Sequence, residues 1–162
     1  MRFLLLSLPL LGLHAAAVDE CRPLPSDPGR ARLQCAGSTQ VLIQAVTPSM
    51  LRIRISPDST FPKSLPVEFG FVKDDWPAVS LRVSDTPAAV LLDTTDLQVR
   101  VTKHPFQLAV RNRRGELILQ QDSYAGGGSE AGIATFQTAP DEHFFGLGFQ
   151  RNAFDLRGSK LQ

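Results

Sequence analysis

The sequence predicts an all-β fold, a sandwich or a barrel of antiparallel strands, and three observations carry that expectation. From Thr39 onward the apolar residues recur with a period of two, the signature of strands with one buried face. The apolar segments are short and bounded by turn residues, with twelve prolines and twelve glycines spread along the chain. No segment carries a convincing helical stripe. About ten strands at this spacing fit a sandwich or a barrel.

The chain starts with a different pattern. Arg2 precedes an apolar run from Phe3 to Leu13, and His14-Ala15-Ala16-Ala17 closes it with small residues. A basic start, an apolar middle and a small-residue end make a secretory signal peptide at 1–17, cleaved after Ala15 or Ala17. The run is too short for a bilayer span, which needs about 20 residues. Val18-Asp19-Glu20 before Cys21 is not a lipoprotein context, so no lipid anchor is expected. The expected location is secreted or periplasmic, with no membrane association after cleavage. Residues 18–38 then read as a Pro-rich leader holding Cys21 and Cys35. In an exported chain such an isolated pair is expected as a disulfide, since no further Cys or nearby His completes a metal site. The bridge would staple a weakly structured leader to the first strand.

The strands follow in order. Val41, Ile43 and Ala45 alternate with Leu42 and Gln44, and Pro48-Ser49 turns the chain. Leu51, Ile53 and Ile55 alternate with Arg52 and Arg54, a half-buried strand that Pro57-Asp58 ends. A strand over Val67–Val72 is expected after the loop at Pro62–Pro66, and Asp74-Asp75-Trp76-Pro77 turns into Val79, Leu81 and Val83. Ala88–Leu92, Leu97/Val99/Val101 and Phe106/Leu108/Val110 are the next three. Asn112-Arg113-Arg114-Gly115 predicts a hairpin loop with glycine at positive φ, from which Leu117 and Leu119 return. Ala125–Ser129 has the composition of a flexible loop. Ile133–Phe136 and Phe144–Leu147 complete the set.

Composition excludes several classes of function. Charged residues are 20% and the net charge is +1. That balance offers no reason to bind nucleic acid or an anionic membrane. The arginines are scattered and lack interleaved aromatics of the kind single-strand binders use. The acidic pairs Asp74-Asp75, Asp93/Asp96 and Asp141-Glu142 all lie at turn signals, where carboxylates cap backbone amides or face water. His104 and His143 read as loop or strand-edge residues without an acid–base partner. Trp76 and Tyr124 are candidates for stacking on sugar faces, and equally for covering the sheet edge. No catalytic residue, metal ligand or cofactor is assigned.

The C-terminal run His143-Phe144-Phe145-Gly146-Leu147-Gly148-Phe149-Gln150-Arg151-Asn152-Ala153-Phe154-Asp155-Leu156-Arg157-Gly158 carries the most specific signal. Phe145–Gly148 and Asp155–Gly158 resemble the (Y/F)-G-(L/F)-G-E and D-x-R-G motifs that close the N-terminal β-domain of glycoside hydrolase family 31. Phe149 stands where that family usually has Glu, so no role of that acid is carried over. The resemblance implies a galactose mutarotase-like antiparallel β-sandwich over 39–148, with 149–162 leading toward a (β/α)8 barrel. In the family that barrel carries both catalytic aspartates of a retaining α-glycosidase, which needs no cofactor. The chain is therefore expected to be inactive alone, as a fragment whose partner is the missing catalytic barrel. Carbohydrate is a possible ligand, and Phe149, Gln150, Asp155 and Arg157 are candidate substrate-binding residues at the domain exit. Asp155 and Arg157 are expected to pair with each other or with backbone. A free-standing carbohydrate-binding module and a purely structural sandwich are the alternatives.

Overall fold

Alternating apolar residues become a strand when a partner lies one turn away, and nearly every element here forms in that way. The computed structural model describes residues 18–125, 132–145 and 154–158. In the first sheet, β1 (Arg22–Leu24), β2 (Arg30–Gln34), β3 (Gln40–Thr47) and β4 (Met50–Ser56) pair in sequence order, all antiparallel. In the second, β5 (Arg82–Asp85), β6 (Ala89–Asp93), β7 (Leu97–Lys103), β8 (Phe106–Asn112), β9 (Leu117–Ala125) and β10 (Ile133–Phe136) do the same.

The two sheets share one core. Ala31, Leu33, Val41 and Ile43 of the first meet Val90, Leu92, Val99, Val101 and Leu108 of the second. Leu33, Val41, Ile43, Val90, Leu92 and Val101 are completely buried, and each such side chain contributes about 1.5–3 kcal/mol by leaving water. Every second residue of β7 points inward, with Leu97, Val99 and Val101 buried and Gln98 and Arg100 exposed. This is the alternation of a sandwich strand. The ends of the sheets are stitched by one buried hydroxyl. Thr94 Oγ1 accepts from the N–H of Leu97 at 2.9 Å and donates to the carbonyl of Pro48 at 2.6 Å. The β6–β7 turn is thereby fixed to the β3–β4 turn.

Four sequence expectations need correction. The segment read as a weakly structured leader contributes β1 and β2, with Ala31, Leu33 and Cys35 in the core. Pro23 lies within β1, the edge strand of its sheet, and Pro25 and Pro28 lie between β1 and β2, so the prolines cost few ladder hydrogen bonds. Cys21 and Cys35 form a disulfide that joins the residues flanking these strands. The strand expected over Val67–Val72 is instead a single helical turn, α1 (Leu65–Glu68). Pro66 sits in its first turn, where a missing N–H and a preset φ favour helix, and Ser64 O accepts from the N–H groups of Val67 and Glu68. The strand expected from Val79 begins only at Arg82, and all four of its residues are exposed. Phe144 and Phe145 lie outside any strand, and Gly146 and Leu147 fall outside the described residues.

The remaining elements follow the sequence closely. Gly115 takes φ +82° in the β8–β9 hairpin. The His104–Pro105 bond in the β7–β8 turn is cis. β4 forms where expected, with Leu51 and Ile55 packed on the core, but Ile53, expected on the same buried face, is exposed.

The connection from Pro57 to Leu81 does not hang free. It crosses the outer face of the first sheet, where Phe61 covers the guanidinium groups of Arg54 and Arg32 at 5.1 and 5.9 Å. Further on, Asp74 pairs with Arg52 at 2.8 Å.

Candidate functional site

After β10 the chain turns at Pro140-Asp141, and the site begins there. Glu142 closes the turn twice: its N–H donates to Ala139 O at 3.1 Å, and its carboxylate accepts from Ala139 N–H at 3.0 Å. His143, Phe144 and Phe145 follow, and residues 154–158 return alongside them. Leu156 N–H donates to Phe144 O at 2.7 Å, and the Leu156 side chain is buried.

Asp155 is the hub of this closure. Its carboxylate accepts from His143 Nδ1 at 2.6 Å, from Phe144 N–H at 3.2 Å and from Arg157 N–H at 3.0 Å. An ionised carboxylate only accepts, so Nδ1 carries the proton of the His143 ring. The hydrogen bond from His143, aided by the Arg157 amide, holds the Asp155 carboxyl below its ordinary value of 3.8. The Arg157 guanidinium does not reach Asp155. It donates to the carbonyls of Ala139, at 2.8 Å, and Glu142. Gly158 then takes φ +74°, a conformation that favours glycine. The three named positions of Asp-x-Arg-Gly thus have separate work: one joins the two ends of the loop, one ties them to the preceding turn, and one redirects the chain.

Of the four candidate substrate-binding residues, Asp155 and Arg157 lie together in this closure, while Phe149 and Gln150 fall outside the described residues. His143, read from sequence as an unpartnered edge residue, is the principal side-chain partner of Asp155. No local signal points to that pair, because the two residues meet only when the chain between them loops back.

The chemistry available here is that of a clamp. Glycoside hydrolysis needs two carboxylates facing one sugar, whereas Asp155 is engaged by three donors of the closure and Glu142 caps a backbone amide. The hydrogen bond to Asp155 fixes the orientation of the His143 ring through Nδ1. Tyr124, a candidate platform, packs against the core instead. Among the described residues no three His, Cys, Asp or Glu gather as a metal site.

What the clamp presents outward is aromatic. Phe144, Phe145 and Phe154 are 40%, 57% and 87% exposed. The Phe145 ring lies 5.0 Å from Phe154 and 6.2 Å from His143, stacked on the latter.

Residues 40–162 match the model of the glycosyl hydrolase 31 N-terminal galactose mutarotase-like domain. The chain belongs to that family. This mutarotase-like domain is 25% identical over 122 residues to a 1,6-alpha-glucosyltransferase of Sporosarcina globispora, a match covering 75% of the chain and 9% of that enzyme. Its fold is shared with a family 31 dextranase of Flavobacterium johnsoniae, solved with isomaltotriose, at a TM-score of 0.69 and 21% identity. That superposition covers 90% of this chain and 18% of the dextranase. A cycloalternan-forming enzyme of Listeria monocytogenes, solved with a pentasaccharide substrate, gives a TM-score of 0.67 at 18% identity, over 88% of this chain and 14% of that one. At these identities the likeness establishes the fold. The mutarotase-like domain spans less than a fifth of each of these relatives.

The pH response of the clamp follows from the depressed carboxyl. A carboxyl with a lowered folded-state pKa stabilises the fold fully above its unfolded value, here 3.8, and loses that contribution as pH falls through the folded value. The Phe144 and Arg157 amide resonances are expected to shift together in an NMR titration, with a midpoint below 3.8. In Asp155→Asn neither should move in that range. Independent midpoints would show that the three donors do not share one acceptor.

Proposed function

We propose that this domain is the non-catalytic N-terminal sandwich of an exported, retaining α-glycosidase or glucosyltransferase, and that the loop closed by Asp155 is where a (β/α)8 catalytic barrel packs. The observation that carries this reading is the aromatic cluster of Phe144, Phe145 and Phe154, held outward on a loop that four side-chain hydrogen bonds to backbone keep closed. Three adjacent phenylalanines facing water form the kind of apolar patch that marks an interface. The small share of each relative that the domain covers supports the same reading. The substrate class is α-linked glucose oligomers, favoured by the isomaltotriose and pentasaccharide bound to the two structural relatives. The basic-apolar-small pattern of 1–17 supports export, and the disulfide is chemistry that an exporting route permits.

The test begins with the coding sequence beyond the Gln162 codon, read in all frames for a barrel with a Trp-x-Asp-Met-Asn-type motif. The chain is then expressed joined to that barrel and assayed on α-glucosides. Phe145→Ser combined with Phe154→Ser is expected to lower activity about tenfold or more, while the melting temperature of the isolated domain stays unchanged. An expressed precursor should yield a mature N-terminus at Ala16 or Val18. Full activity in the double variant would remove the docking role. A free-standing carbohydrate-binding module is the second reading, favoured by the partial exposure of Trp76 on the outer face of the first sheet.

A further inference from the structure

We propose that the groove between the Asp27–Arg30 turn, Gln44 and the Trp76–Ala78 segment is a binding site for a sugar ring, with the Trp76 indole as its platform. The inference rests on the carbohydrate reading above and assigns it a place away from the Asp155 clamp. The groove has a volume of about 230 Å³, below the roughly 300–1,000 Å³ of pockets that enclose drug-sized ligands and of the class suited to one ring.

Its composition matches what a pyranose presents. Trp76, 38% exposed, offers an aromatic surface to the C–H face of a sugar. Around it stand an acceptor, a fixed donor fork and an amide with both functions. Asp27 and Arg30 lie 3.6 Å apart in an exposed ion pair. Gln44 is the cross-strand partner of Arg30, and its carboxamide makes no hydrogen bond among the described residues. Neighbouring hydroxyls on a sugar are bound by such donor and acceptor groups side by side.

The groove is also built in advance. The indole N–H donates to Lys73 O at 3.3 Å, and Lys73 Nζ sits 4.8 Å over the ring. Asp74 anchors the same segment to Arg52. On the other side Gly29, at φ +75°, lets the chain approach so closely that a Cβ there would lie 2.9 Å from Val79 O. Any side chain at 29 would push the two walls apart. A site whose parts are already fixed loses little entropy on binding. Trp76 lies on the connection between α1 and β5, residues 69–81, longer than the usual loop of about 4–6 residues, and such long connections are commonly functional.

Trp76 is the chain's single tryptophan, so its emission reports on this groove alone. The full chain is titrated with glucose, maltotriose and isomaltotriose by tryptophan fluorescence and by calorimetry. A saturable emission change is expected, with Kd on the order of 1 mM for the best sugar. By calorimetry, Trp76→Ala and Gln44→Ala should each raise Kd about tenfold or more with an unchanged melting temperature, and Trp76→Phe should retain most of the affinity. Sugar binding that persists in Trp76→Ala would overturn the groove and leave the carbohydrate reading standing elsewhere on the domain. The absence of saturable heat from all three sugars would overturn the groove outright. The barrel-docking reading is decided separately, by the phenylalanine variants.

Discussion

Leu33→Ala is expected to lower the stability of the domain by about 2–5 kcal/mol, equivalent to a fall in Tm of roughly 10 °C. Leu33 has no exposed surface and sits in the shared core with Val41, Ile43 and residues of the second sheet. Truncation removes three heavy atoms from between two sheets that are each pinned by their own ladders, so the space cannot close by a small shift. The measurement also separates two views of the N-terminal segment. A dispensable leader would tolerate the change within a few tenths of a kcal/mol, whereas a structural strand would not. A thermal melt of the purified variant settles the matter, and an unchanged Tm would return residues 30–34 to the status of a leader.

Replacing Cys21 and Cys35 together by alanine is expected to cost about 3 kcal/mol. The two are 14 residues apart in sequence, and the chain-entropy model assigns about that much to closing a loop of this size. Both residues are buried, so alanine is the better replacement because it places no hydroxyl in the core. Reduced wild type should melt at the temperature of the double variant, and oxidised wild type well above it. Identical melting of oxidised and reduced protein would show that the ladders of β1 and β2 hold the segment without the tether. The effect should not simply add to that of Leu33→Ala, since Cys35 and Leu33 belong to one packed cluster.

These residues also show where the sequence was readable. The alternation of β7 and β8 is long enough to count, and Gly115 marks the β8–β9 turn by a conformational need that few residues meet. The β2 alternation, Ala31-Arg32-Leu33-Gln34-Cys35, follows the same rule. It is short and embedded among prolines and arginines, so the composition around it hides the period. Val67, Phe69 and Phe71 alternate as a strand would, yet no neighbouring strand is available to them, and Pro66 tips the segment into a helical turn. The candidate site divides in the same way. Asp155 and Arg157 stand out because a motif selects them, while their partners do not. His143, Ala139 and Glu142 are brought to them by a return of the chain, and a contact of that kind has no local period, propensity or spacing. The groove around Trp76 is a still stronger case, since it joins the entry to β2, the middle of β3 and a long irregular connection.

The strand order has a kinetic consequence. Every ladder in both sheets joins strands that are consecutive along the chain, so each hairpin can form once its second strand exists, without waiting for a distant partner. Among the described strands, it is the face-to-face meeting of the two sheets that brings together remote parts of the sequence. The entropic barrier that usually slows sandwiches, the search for non-local pairings, is thereby concentrated in one late collision. During synthesis, which proceeds at about 5–20 residues per second, the first sheet can zip up at the ribosome while the second is still being made.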